Sequence, residues 1–202
     1  MIKKQYILVI FALFFSFRSL AQQDISYKNT LFIVPLNLLN SGIRFDFEHE
    51  LKGDALKRIL VAPQFYYRDI YDAELPFRGI EKGSLIGGGM EVCYKKFLTP
   101  SSFFGHAYYS LGVSYQYFNL ENTELTTSLK SIHLHKTGTH LLVGYQMPIS
   151  QRLVMDYFVG LGFRYTFDFS DNEMENEFGN FSWNFGYSGP APLLGFKIGF
   201  NL

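Results

Sequence analysis

Residues 152–169 read RLVMDYFVGLGFRYTFDF. From 153 to 167 the odd positions are Leu, Met, Tyr, Val, Leu, Phe, Tyr and Phe. The even positions from 152 to 168 are Arg, Val, Asp, Phe, Gly, Gly, Arg, Thr and Asp. Every charge has the same parity. Successive side chains of a strand point to opposite faces, so a period of two sorts this segment into an apolar face and a face carrying Arg152, Asp156, Arg164 and Asp168. A helix would also gather those four charges, which lie at multiples of four. It would, however, scatter the apolar odd positions around its axis, and Tyr, Phe, Val and Thr favour strands.

The same alternation recurs along the chain. Ile43, Phe45, Phe47 and Leu51 oppose Arg44, Asp46, Glu48 and Glu50. Ile59, Val61, Phe65 and Tyr67 oppose Arg58, Gln64, Tyr66 and Arg68. Ile86, Met90, Val92 and Tyr94 oppose Gly87, Gly89, Glu91, Cys93 and Lys95. In 103–119, Tyr109, Leu111, Val113, Tyr115 and Tyr117 oppose Tyr108, Ser110, Gly112, Ser114 and Gln116. In 136–147, Leu141, Val143, Tyr145 and Met147 oppose Lys136, Gly138, His140, Gly144 and Gln146. The chain closes with Leu194, Phe196, Ile198, Phe200 and Leu202 against Gly195, Lys197, Gly199 and Asn201.

The links between these segments alternate in length. Short ones fall near 52–56, 98–102 and 148–151, long ones near 70–82, 119–131 and 169–190. Short turns at one end and long loops at the other describe an up-and-down antiparallel meander. An even, closed barrel needs one more strand before residue 42, and residues 30–38, TLFIVPLNL, supply it despite Pro35. The expected fold is therefore all-β, an eight-stranded antiparallel up-and-down transmembrane β-barrel. Pro63 is expected to mark a bulge.

Lys3 and Lys4, the apolar run from Tyr6 to Phe17, and Ser19-Leu20-Ala21 have the pattern of a secretory signal peptide over 1–21. Residues 22–202 are then a single barrel domain. No Cys follows the cleavage position, so a lipoprotein anchor is not expected. Without 1–21 the chain loses Lys3, Lys4 and Arg18, keeps 15 basic and 18 acidic residues, and has a net charge of −3. That balance argues against nucleic acid as a partner. Cys93 is the only cysteine, so no disulfide can form within the chain. Rigidity must come from elsewhere.

A barrel strand needs about 9–11 residues to cross a membrane, and these segments reach that length. Lipid cannot satisfy an open sheet edge, so such a sheet must close. Hydrocarbon then meets the odd face of 153–167 while the even-position charges point into the barrel. A slip of one residue would move those charges into lipid at about 2–4 kcal/mol for each Arg near the midplane. Tyr66, Tyr67, Tyr117, Phe118, Tyr165, Phe167 and Phe169, near strand ends, are expected to form an aromatic girdle.

On these residues the chain resembles small bacterial outer-membrane β-barrels, of which the OmpA transmembrane domain and OmpX are familiar members. Its aromatic-rich style is similar to outer-membrane barrels of Bacteroidetes. The resemblance is architectural and covers nearly all of 29–202, without a diagnostic motif. It implies location in the bacterial outer membrane, contact with outer-membrane lipid, and insertion by the barrel-assembly machinery. Members often end on an aromatic residue which that machinery reads; this chain ends Phe200-Asn201-Leu202.

Eight strands enclose a space that side chains can fill. The expected inward set is Arg44, Asp46, Glu48, Glu50, Arg58, Arg68, Glu91, Lys95, Lys136, His140, Asp156, Arg164 and Lys197. Its mixed signs point to a paired, closed plug rather than a single-sign channel. His133 and His135 share a strand face and could bind a metal, but no third ligand is identifiable, and they read as a surface pair. Asp168, Asp171, Glu173, Glu175 and Glu177 lack the spacing of a calcium loop. Gly87-Gly88-Gly89 lacks the Lys-Ser/Thr and the helix of a phosphate loop, and suits bends or close packing in a barrel wall. Cys93 reads as an inert inward thiol. Ser131, His133 and Glu124 are the only local group that could be nominated for lipid-modifying catalysis. No catalytic, cofactor-binding or metal-binding residue is assigned and no cofactor is expected. The chain is expected to be a non-enzymatic structural or surface-interaction protein whose long loops meet a surface ligand or protein. A lipid-modifying enzyme and a narrow channel are the alternatives.

Overall fold

The computed structural model describes residues 28–39, 41–71, 82–98, 106–122, 131–168 and 188–202. The expected signal peptide and most of the long connections lie outside them. Eight strands form: β1 (Asn29–Ile33), β2 (Gly42–Glu50), β3 (Lys57–Tyr71), β4 (Lys82–Phe97), β5 (Ala107–Asn122), β6 (Ser131–Pro148), β7 (Leu153–Asp168) and β8 (Gly189–Asn201). A single helical turn, α1 (Leu36–Leu39), separates β1 from β2. Each strand pairs antiparallel with its sequence neighbours, and β1 pairs with β8 to close the barrel. The up-and-down, all-antiparallel eight-stranded barrel is thus the observed fold.

Each ladder keeps one register throughout. From Thr30, successive cross-strand partners are Glu48, Leu60, Cys93, Gly112, His140, Gly162 and Ala191. Extending the β8–β1 register from Ala191 returns to β1 at position 40, ten residues beyond the start. A shear of ten on eight strands tilts them by about 40° to the barrel axis.

The wall is uneven. β3 to β7 have 15 to 18 residues each, whereas β1 has five and β2 nine. The sequence pattern predicts a first strand over 30–38. Pro35 has no N–H to give, so the chain leaves the ladder after Val34 and turns through α1. Pro63 is a second correction. Pairing between β2 and β3 lapses opposite it and resumes in the same register, so no residue is inserted and no bulge forms. Tyr67 N donates to Ser41 O, so odd positions of β3 face β2, and Pro63 removes one donor from that ladder. In β8, Leu202 N donates to Asn29 O and Asn201 N to Arg152 O, so even positions face β1. Pro190 and Pro192 are even, and their nitrogens face the side where β1 has already ended.

The turn between β2 and β3 is built from its own residues. Asp54 Oδ1 accepts from Leu56 N at 3.0 Å, Asp54 Oδ2 pairs with Lys57 Nζ at 2.9 Å, and Gly53 takes φ of 88°, which favours glycine. Arg152 lies exposed in the turn before β7, not in the barrel as its parity suggests.

The two parities part as expected. Leu111, Val113, Leu141, Val143, Val159, Leu161 and Leu194 are exposed on the outer face, Leu194 at 81%. The buried residues line the interior. Tyr66 and Phe118, expected in the outer girdle, instead turn inward, with ring centroids 5.2 Å apart. Both have the inward parity of their strands. Outside, Tyr109 and Tyr117 on β5 bracket Leu111, Val113 and Tyr115, while Tyr157 and Tyr165 on β7 bracket Val159, Leu161 and Phe163. Eight residues separate each bracketing pair, about 20 Å along the axis at this tilt. Phe169 lies outside the described residues. No described helix is long and apolar enough to cross a membrane, which says nothing of a barrel.

Candidate functional site

β2 reads GIRFDFEHE, and its alternation turns Arg44, Asp46 and Glu48 into the lumen from one short strand. Two side-chain relays start from them. In the first, Lys197 on β8 donates to Asp46 at 2.5 Å. Arg44 holds Asp46 through Nε at 2.5 Å and Nη2 at 3.1 Å, and grips Glu91 on β4 with Nη1 at 3.0 Å and Nη2 at 2.7 Å. In the second, Glu48 accepts from Arg58 on β3 and Lys95 on β4, both at 2.8 Å. Lys95 reaches Asp156 on β7 at 2.8 Å, and Tyr108 on β5 donates its hydroxyl to the other Asp156 oxygen at 2.5 Å.

The four carboxylates of these relays meet four cations. Asp46, Glu48 and Asp156 are fully buried. Charges removed from water are tolerated only when paired and hydrogen-bonded, and here each oxygen of all three carboxylates has a donor. Aromatic rings surround Lys95 near the short turns. Its Nζ lies 3.9 Å from the Tyr108 ring centroid, 5.0 Å from Phe97 and 5.7 Å from Phe32. The expected mixed charges are therefore present in the lumen, paired in two relays that cross the barrel.

Toward the long connections the lumen changes character. Gln116 donates to Gln64 at 2.7 Å and to Tyr66 Oη at 3.1 Å, and Tyr66 donates to Gln64 at 2.6 Å. Beyond them Leu85, Phe118, Leu120 and Leu134 are buried on the inner face of β4 to β6. The inward set named from sequence omitted these apolar groups, because charge was the feature sought. Gly87 and Gly89 face the same region. A Cβ on Gly87 would collide with Phe118 Cδ1, and one on Gly89 would lie 2.7 Å from Gln116 Cγ. Close packing, not a bend, explains those glycines.

The other candidates separate. His133 and His135 point outward, with their Nδ1 atoms 2.8 Å from Tyr117 Oη and 2.6 Å from Tyr115 Oη. Ser131 has the same outward parity at the start of β6; Glu124 lies outside the described residues, as do Asp171, Glu173, Glu175 and Glu177. Reading the sequence for neighbours missed a different cluster: Glu91, Cys93 and His140 converge in the lumen, with one candidate ligand atom from each within 4.8 Å of the others. Tyr108, which completes the second relay, has the inward parity read from the sequence but no charge to mark it.

No family model matches the chain, and no curated protein is similar to it by sequence. Among solved structures, the chain is similar to a major outer membrane protein from Thermus thermophilus. The identity is 14%, the match covers 85% of this chain and 96% of that one, and the TM-score is 0.42.

Proposed function

We propose that the chain is a bacterial outer-membrane β-barrel of one domain, 22–202, made with a signal peptide over 1–21 and inserted by the barrel-assembly machinery. The observation that carries this reading is the outer face. Tyr-bracketed bands of Leu, Val, Ile, Met and Phe stand exposed on strand after strand, while lysines, arginines and carboxylates fill the inside. Soluble proteins rarely expose contiguous apolar patches above a few hundred Å². Burying each such side chain yields about 1.5–3 kcal/mol, and hydrocarbon provides that burial without a protein partner.

Within that membrane the lumen is a closed plug, held by ion pairs that reach from β2 to β3, β4 and β8 and on to β7. The role is structural or interactive, and the connections at 72–81, 123–130 and 169–187 meet surface partners. The protein is not an enzyme in this reading. Cell fractionation with gel mobility before and after boiling tests the membrane assignment. Recovery in the outer membrane with a heat-dependent shift is the expected result, and a freely soluble protein in the absence of detergent refutes it. Planar bilayers test the plug: steady conductance from the purified barrel would overturn it.

A further inference from the structure

The convergence of Glu91, Cys93 and His140 has a specific construction. Cys93, Gly112 and His140 are consecutive cross-strand partners on β4, β5 and β6. Residues two strands apart stand about 9–10 Å from one another across a sheet, too far for their side chains to meet over an ordinary intervening residue. Here the intervening residue is glycine. A Cβ on Gly112 would collide with His140 Nε2 and fall 2.7 Å from Cys93 Sγ, so the imidazole reaches the thiol through the space that the missing side chain leaves. Glu91, two residues along β4 and on the same face, completes the group.

The three atoms form a compact triangle. Cys93 Sγ lies 3.3 Å from Glu91 Oε1 and 3.5 Å from His140 Nε2, and Nε2 lies 3.6 Å from Oε1. A tetrahedral zinc ion with its usual bond lengths to sulfur, nitrogen and oxygen separates those ligand types by about 3.3–3.6 Å. The triangle is thus already one face of such a tetrahedron.

We propose that Glu91, Cys93 and His140 form a binding site for a borderline divalent cation of the zinc type, with the fourth position open to water or a small ligand. A thiolate, an imidazole and a carboxylate are the donors such ions take. Binding exchanges the Cys93 thiol proton for the metal and releases that proton to solvent, with no change of oxidation state. Arg44 orients the carboxylate by holding both Glu91 oxygens, as groups outside the ligand shell commonly do. The site does not depend on the membrane reading.

The same distances suit a triad that shares protons and binds no metal, so the test must distinguish a ligand set from a hydrogen-bonded one. The full chain is folded from metal-free denaturant, and folding is checked by the boiling-dependent gel shift or, for a soluble product, by a cooperative unfolding transition. Cobalt(II) is then titrated as the probe. The expected result is one equivalent per chain, with the visible bands of tetrahedral cobalt and a near-ultraviolet thiolate-to-cobalt band, all displaced by zinc. Cys93→Ser should abolish the thiolate band. His140→Gln should weaken binding at least about a hundredfold, while His133→Gln with His135→Gln should change nothing. A folded wild-type chain without the thiolate band overturns the proposal. So does binding that survives Cys93→Ser and is lost with the His133 and His135 variants. Gly112→Ala, which crowds the ring, should weaken cobalt binding in a barrel that still folds; unchanged binding in that variant also counts against the geometry. A soluble barrel that binds cobalt as expected would keep this site and lose the membrane.

Discussion

The tall and low sides of the wall are held together by different forces. From β3 to β7 each neighbouring pair of strands shares fifteen register positions, and backbone hydrogen bonds alone make that wall continuous. On the other side β1 shares five positions with β2 and four with β8, and β2 shares seven with β3 across the lapse at Pro63. Yet β2 contributes Arg44, Asp46 and Glu48, and both lumenal relays run through it. Where the ladder is short, side chains cross the lumen to tie the strand to distant parts of the wall. The charged interior is therefore the fastening of the low side.

Cutting that fastening should do the most damage. Lys95→Met leaves Glu48 without one of its two cations and Asp156 without the ammonium it contacts, both fully buried. A loss of about 3–5 kcal/mol is expected in denaturant unfolding. Adding Asp156→Asn to the same chain should recover much of it, because Glu48 keeps Arg58 as its counter-ion. A loss under about 1 kcal/mol for Lys95→Met alone would mean that β2 is held by its ladders after all.

The tall side leans less on such ties, and its sensitive surface is the outside. Leu161→Arg, at a position 68% exposed, should cost about 2–4 kcal/mol in a bilayer. The same change would be near neutral on a soluble barrel, so unfolding in lipid vesicles against dilute buffer sharpens the comparison and tests the environment together.

Adding a donor to the weak ladder should work in the opposite direction. Pro63→Val restores an N–H pointing at β2 and should stabilise the barrel by about 0.5–1.5 kcal/mol, read as a shift in denaturant midpoint. A Pro192→Val change has no β1 partner to reach, and should not give the same gain.

The smallest effect concerns the turn that joins the two sides. The Lys57 ammonium and the Leu56 N–H hold the Asp54 carboxyl below the usual carboxylate range. A depressed carboxylate adds stability at neutral pH and loses it as pH falls through its folded-state value. Because the group is partly exposed to solvent, Asp54→Asn should flatten the acid limb of the stability profile only slightly, and an unchanged limb would assign the turn to its backbone bonds alone.

The parity of 152–169 was enough to reveal a two-faced strand, and the alternating link lengths gave the meander. Strict parity would also have placed Tyr66 and Phe118 inside, because they share the faces of Gln64 and Gln116; the preference of aromatics for membrane boundaries obscured it. The end of β1 was marked by Pro35, but alternation weakens there and cannot tell a strand from a turn. Partners within the lumen were not legible. Arg44 and Glu91, or Lys95 and Asp156, meet only because of the shear, which depends on every register around the barrel. Cys93 and His140 additionally need Gly112, whose importance is invisible until its two neighbours are known.

Pro190 and Pro192 carry a last consequence. Two successive positions on the β1-facing side of β8 offer no amide, along a stretch where β1 has stopped. An incoming strand from another molecule would meet no backbone donor from these two positions. The composition of β8 thus works against strand addition along 190–192.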